Sequence, residues 1–415
     1  MVARPDTEPV PQPEVTDVVD ATRRARFPAG SAIEFADLEE HDRVFALDRL
    51  RDVEPVSWVP ALGGWLVTSY ALAREMLVRH EDFTVRSRAN LVLASLGEMM
   101  LTSDGASHDA QRAPFDAPFR MRSVRARFER PIAVRLDALL AEIEPRNSCE
   151  VAAEFALPFA IGVAGDVLGL SLRDVPTIGR LYDAFAAAMT YDGNPEPQRV
   201  ADAARSELNE ILHGELDRVR AAPDGSVTAA VAADPERKLD DDAIVAQLRV
   251  ILFGAVETVQ SMVVNTLLLL LTHPEELATV RAEPVLRESA VEEAIRLIPP
   301  VSFIERWALH DTALGGATIP AGEFVGLSVV AANRDPATFA EPLRFDVRRD
   351  NARRHLGFSF GVHHCLGFNL ARLQGAMAIG AVLERLPRLR LVDTREPTGF
   401  AFRRPERLEI AWDSS

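Results

Sequence analysis

The chain has 415 residues, of which 47% are hydrophobic and 26% charged, and its 62 acidic against 46 basic residues give a formal net charge of −16. That length and apolar content suffice for a sizeable core, and the acidic balance excludes DNA or an anionic membrane as the main partner, because phosphate binding needs a basic face. The N-terminal segment has no apolar core of its own, and the only cysteines are Cys149 and Cys365. Both features predict a reducing, cytoplasmic setting without a disulfide.

In chain order, "MVARPDTEPVPQPEV" is rich in proline and acid and predicts a disordered tail over residues 1–29, followed by one domain over 30–415. "PVSWVPALGGWLVTSY" predicts two short strands around Gly63-Gly64, and "ALAREMLVRH" after it has helical spacing. From 120 to about 300 the pattern is mostly helical, broken at "EPRNS", "YDGNPEP" and "APDG". The longest helix is expected from the cap cluster Asp240-Asp241-Asp242 to about Leu271; apolar nearly all round, it should run through the middle of the protein. Asn265, Thr266 and Pro274 cut its most apolar run short of a membrane span. Past Pro299-Pro300 the texture changes to strand signals in "TALGGATIPAGEFVGLSVV", "LRLVD" and "LEIAW". With no Gly/Ser linker and no repeat, the fold class is mainly α with a small β portion (α+β), in one large domain.

The segment "FSFGVHHCLG" sets Cys365 between Gly361 and Gly367, just before the helical run "FNLARLQGAMAIGAVLERL". A sulfur at a helix N-terminus meets the positive end of the dipole and unpaired N–H groups, which favours thiolate, either as nucleophile or as metal ligand. Zinc would need further Cys or His at ligand spacing, and His363 and His364 are too close together to share an ion. A single thiolate points to haem iron. The alternative is a packed thiol in a plain helical protein, which would be colourless.

The pattern F-x-x-G-x-H-x-C-x-G, filled by Phe358, Gly361, His363, Cys365 and Gly367, resembles the haem-binding loop of cytochrome P-450 enzymes. Three further motifs lie in that family's order, and the resemblance runs from about residue 30 to the C-terminus. It implies a helical haem domain with short β-sheets, haem b as cofactor and Cys365 as the iron ligand. It also implies a buried triad of Glu293 and Arg296 with Arg344 of "EPLRFD". In Gly254-Ala255-Val256-Glu257-Thr258, the resemblance implies that Ala255 borders the haem, Thr258 hydrogen-bonds oxygen and Glu257 feeds protons; Gly-Ala stands in reversed order and Val259 replaces a second threonine. His108, Arg112, Arg306 and His363 are implied as donors to the haem propionates. Ser359 stands where glycine is frequent, and Pro114 interrupts the helix of His108 and Arg112.

What the resemblance implies for function is a haem-thiolate monooxygenase that inserts one atom of O2 into a hydrophobic small molecule, in bacterial specialised metabolism. No strand–GxGxxG–helix unit occurs, so NAD(P)H is expected to act indirectly, through a ferredoxin and a ferredoxin reductase, on a monomeric enzyme. The basic run "RRDNARRH" at 348–355 is a candidate docking face, against the plainer reading of a solvated loop. A substrate pocket is expected from segments 84–100, 181–197, 301–305 and 398–402, with Leu93, Leu252, Phe253, Val301, Phe303 and Phe400 among its lining. Two other functions stay open: a peroxide-driven enzyme of the same fold, and a haem-binding protein without turnover.

Overall fold

The computed structural model describes residues 16–40, 45–171, 175–189, 195–233 and 239–413. Its centre is the helix Asp241–Thr272, whose start is fixed by Asp240: the side chain accepts the N–H of Ala243 at 2.8 Å, as the cap cluster predicts. Twenty-two of its 32 residues are buried, including the polar pair Asn265 and Thr266. Asn265 is tolerated there because its Nδ2 donates to the carbonyls of Ile298 and Arg403, and Thr266 returns its hydroxyl to Met262. Among the described residues this is the helix long and apolar enough to cross a membrane, and 72% of its most apolar window is buried inside the fold.

Helices Leu157–Leu168, Pro195–Ala221, Arg287–Leu297 and Phe368–Arg385 pack against it, Met121–Ile143 packs on the first and last of these, and all share one continuous apolar core. The hairpin forms where Gly63 supplies a φ of +58°: β1 (Val56–Val59) pairs antiparallel with β2 (Gly64–Val67). They join β3 (Phe83–Thr84), β5 (Phe303–Ala308) and β8 (Phe324–Ser328) in a sheet of order β1-β2-β8-β5-β3, with β2 and β8 parallel. A second sheet has the order β4-β10-β9, from Ser148–Glu150, Leu408–Ala411 and Arg390–Thr394; β6 (Thr312–Leu314) and β7 (Ala317–Ile319) make a small hairpin. Cys149 and Cys365 are both free thiols.

The predicted tail is corrected over its second half. Residues Asp17–Arg26 form a helix, held to the sheet by Arg23–Glu323 at 2.6 Å and by the Trp58 indole N–H on Asp20 at 2.7 Å. Phe27 then buries its ring against Trp65. Residues 1–15, and 190–194 of the predicted pocket segment, lie outside the described residues.

Candidate active site

Between the central helix and the Cys365 loop lies a cavity of about 370 Å³. From the helix come Gly254, Ala255 and Thr258; from the loop come Phe358, Ser359, His363, His364, Cys365 and Gly367. The loop is closed on itself by the Cys365 N–H donating to the Phe358 carbonyl at 2.9 Å. Its two motif glycines differ: Gly367 lines the cavity and Gly361 does not. Gly361 holds φ +76°, and a Cβ there would collide with the carbonyl oxygen of Leu77, so the residue lets the loop pack on helix Tyr70–Val78. Gly367 precedes helix Phe368–Arg385, where the nearest atom to an added Cβ is the Cys365 sulfur. Ser359 holds φ +59°, a left-handed conformation that glycine would adopt freely, and its buried Oγ has no partner.

The Cys365 thiol faces the cavity with protein around it, and burial pushes its pKa up; the N–H groups of Gly367 and Phe368 and the charges of Arg112 and Arg372 oppose that. The helix N-terminus thus favours the thiolate against the effect of burial, and a metal cation at the sulfur would favour it further.

The four expected anion donors meet on one side of this cavity, all lining it. His108 and His363 pack edge to face at 4.6 Å, and the buried His108 Nε2 has no hydrogen-bond partner. Arg306 is 7% exposed, with Nη1 on the Glu305 carbonyl; burial brings its pKa down to about 10, opposed by Asp104 and Glu305. Pro114 does not break the helix Gly105–Asp116, so Arg112 keeps its place one turn after His108 and pairs with Asp116 at 3.2 Å. His363 is different. Its Nε2 meets Asp104 Oδ1 at 3.0 Å; burial keeps the imidazole neutral, down to about 4. Burial alone would raise the Asp104 carboxyl, but hydrogen bonds from His363, Thr84 and Val85 hold it at about 2. Asp104 was not anticipated; the only signal is its position just before a helix.

Positively charged and orphaned donors around an apolar cavity, with one thiol in its wall, fit a planar group carrying two carboxylates and a thiophilic metal, which describes haem.

Beneath the loop, the triad forms with a different third member. Glu293 takes Arg296 Nε at 2.7 Å and Arg349 Nε at 2.9 Å, all three side chains being buried. Arg344 is corrected: its side chain is 57% exposed on Glu341, and it contributes only its carbonyl, which accepts from Arg296 and Arg349. The same geometry overturns Arg349 as a docking residue. Elsewhere in that basic run Arg348 pairs with Glu283, Arg353 with Glu288 and His355 with Glu292, whereas Arg354 is exposed and lies 5.7 Å over the Tyr70 ring. Glu292 also binds Arg372, whose guanidinium lies 5.3 Å over Phe358.

Of the expected substrate contacts, Phe253, Val301 and Phe303 line the cavity. Leu252, wholly buried, faces away from it; Leu93 yields to Leu91 and Val92. Phe400 packs instead on Phe303 and Phe35, at 4.3 and 5.0 Å, and Phe402 takes the cavity position. Thr258 faces the cavity with its hydroxyl on the Gly254 carbonyl. Glu257 does not: its carboxylate opens into a second, smaller cavity.

The sequence profile described as Cytochrome P450 matches residues 224–398. Pentalenic acid synthase of Streptomyces avermitilis is 33% identical over 377 residues, 87% of this chain and 91% of the relative. Cytochrome P450-SU2 of Streptomyces griseolus is 34% identical, over 86% of this chain and 91% of the relative. Among solved structures, P450BioI in complex with an acyl carrier protein carrying hexadec-9Z-enoic acid has a TM-score of 0.83 at 26% identity, covering 90% of this chain and 98% of that one. CalO2 has a TM-score of 0.82 at 28% identity, covering 90% and 96%. The chain belongs to the cytochrome P450 family and is a monooxygenase of that family, which uses haem iron.

Proposed function

We propose that this enzyme is a haem-thiolate monooxygenase acting on a hydrophobic small molecule of bacterial specialised metabolism. The observation that carries the reading is one cavity bounded on one side by Cys365 and on the other by Gly254, Ala255 and Thr258, with His108, Arg112 and Arg306 at its edge. In this reading the Cys365 sulfur holds the iron, and His108, Arg112 and Arg306 hold the propionates of haem b, while His363 beside His108 has its Nε2 engaged by Asp104. Bound there, the haem supplies dioxygen activation.

The chain's own part is binding, orientation and proton supply. Gly254 has nothing within 4 Å of an added Cβ, which keeps the helix wall open at the point where a small diatomic molecule must fit. The Thr258 hydroxyl spends its hydrogen on the Gly254 carbonyl, so its oxygen is free to accept a second hydrogen bond from water in the cavity. Glu257, next along the helix, is the acid from which a proton reaches that water. Val301, Phe253, Phe303 and Phe402 give the substrate an apolar seat that excludes water. Electrons come from a ferredoxin and its reductase in the cytoplasm, in keeping with a chain that has no GxGxxG unit. The two electrons from NAD(P)H and the two protons reduce one oxygen atom to water as the other enters the substrate C–H bond.

Hydrophobic compounds are screened by their shift of the Soret band, and hits are turned over with a surrogate ferredoxin and reductase under 18O2. The expected result is product carrying one 18O atom. Product formed only with added peroxide would favour the peroxide-driven reading, and tight binding without product on any hit would favour a carrier.

A further inference from the structure

Glu257 and Thr258 are neighbours on one helix but open into different cavities. The second cavity, about 210 Å³, is lined by Glu150, Tyr182, Asp183, Gln260, Arg404 and Glu406 among others, polar enough and large enough to hold several waters. Glu257 is held there loosely, by Arg404 Nε at 3.5 Å and by the Ser261 hydroxyl at 3.4 Å. The Arg404 Nε is buried and makes no hydrogen bond, so the contact is charge without close geometry. Arg404 sits two residues after Phe402, which lines the main cavity and packs edge to face on Phe253 at 5.6 Å. Between the two, Arg403 donates its N–H to the Pro300 carbonyl and accepts at its own carbonyl from Asn265, which ties Phe402 and Arg404 into one hydrogen-bonded unit. One short segment thus borders the substrate seat at Phe402 and the acid at Arg404.

We infer that Arg404 is a positioning residue for Glu257, holding its ionised carboxylate in the second cavity until the pair loosens and a proton is taken up there, and that Phe402 links this contact to the filling of the main cavity. The inference rests on the proton-supply role proposed above for Glu257. A proton passes from water in the second cavity to the Glu257 carboxylate, and from it to water beside Thr258; the carboxylate then returns to Arg404. No electrons move in this relay. A ligand that presses on Phe402 shifts the segment and loosens the pair, and by linkage, loosening the pair makes the ligand easier to bind.

The test uses the haem-loaded full chain with a surrogate ferredoxin and reductase and no added substrate, reading peroxide formed per dioxygen consumed. Arg404→Gln is expected to raise that ratio, Arg404→Lys to restore most of it, and Arg404→Gln to add nothing in a Glu257→Gln background. Independently, the aryl imidazole 4-phenylimidazole, titrated by its spectral shift, is expected to bind Arg404→Gln up to about fivefold tighter, as loss of a partly exposed pair allows. That gain should vanish in a Phe402→Ala background. An Arg404→Gln effect on peroxide that persists in Glu257→Gln, or unchanged azole affinity, would overturn the inference. If Glu257→Gln alone leaves the ratio unchanged, it is the proton-supply role itself that fails.

Discussion

The two walls of the main cavity treat their carboxylates differently. Under the Cys365 loop, Glu292 and Glu293 are fully buried and each is held by two partners, His355 with Arg372 and Arg296 with Arg349. On the central helix, Glu257 is 17% exposed, with a single cation at 3.5 Å. The first arrangement fixes a loop, because a buried carboxylate stripped of a partner is costly. The second leaves a carboxylate available, because a weak contact can be made and broken within a turnover. Burial and multiplicity of partners therefore separate the carboxylates that anchor the segment under the Cys365 loop from the one proposed to move a proton.

The largest effects should come from breaking the fixed wall. Glu293→Ala or Arg349→Ala is expected to cost about 3–5 kcal/mol and to leave little soluble haem protein, whereas Arg344→Ala should change stability by less than about 0.5 kcal/mol. Soluble yield and urea midpoints of the three variants separate these cases; equal losses at Arg344 and Arg349 would contradict the triad assigned here.

Next in size is an acid effect. Burial alone would raise the Glu292 carboxyl, but hydrogen bonds from His355 and Arg372 and their charges hold it at about 2, against 4.5 for the free group. A depressed folded-state pKa means that its stabilisation is complete above pH 4.5 and is lost as pH falls toward 2. The difference is on the order of 3 kcal/mol. Urea unfolding between pH 7 and 3 should therefore show a steeper loss for the wild type than for Glu292→Gln, and parallel curves would remove this role.

The smallest change in stability, and the clearest in chemistry, is expected on the central-helix wall. Thr258→Ala should leave the unfolding midpoint within about 0.5 kcal/mol and substrate binding intact, while diverting NAD(P)H equivalents from product to peroxide. Unchanged coupling would place proton supply elsewhere.

Local signals carried most of the architecture. The Asp240 cap, the Gly63 turn and the strand runs near residues 312–328, 390 and 408 were all legible, because each depends on residues close in sequence. The Cys365 loop was legible for the same reason. What escaped were choices made across the fold. Arg344 and Arg349 lie five positions apart in one irregular segment, and only packing against helix Arg287–Leu297 decides which guanidinium turns inward. Asp104 meets His363 across 259 positions. Phe400 and Phe402 sit at alternate positions of the same segment, and the bridge between Val301 and Phe402 settles which one reaches the cavity. The helix at Asp17–Arg26 was missed because its stabilisation comes from Glu323 and Trp58, not from an apolar face of its own.

The most direct test of the central claim is the carbon-monoxide difference spectrum of the dithionite-reduced, purified protein, wild type beside Cys365→Ala. The account predicts the strongly red-shifted Soret band of a thiolate-ligated ferrous haem in the wild type and its loss in the variant. A wild-type haem spectrum without that band, or the band surviving in Cys365→Ala, would contradict Cys365 as the iron ligand.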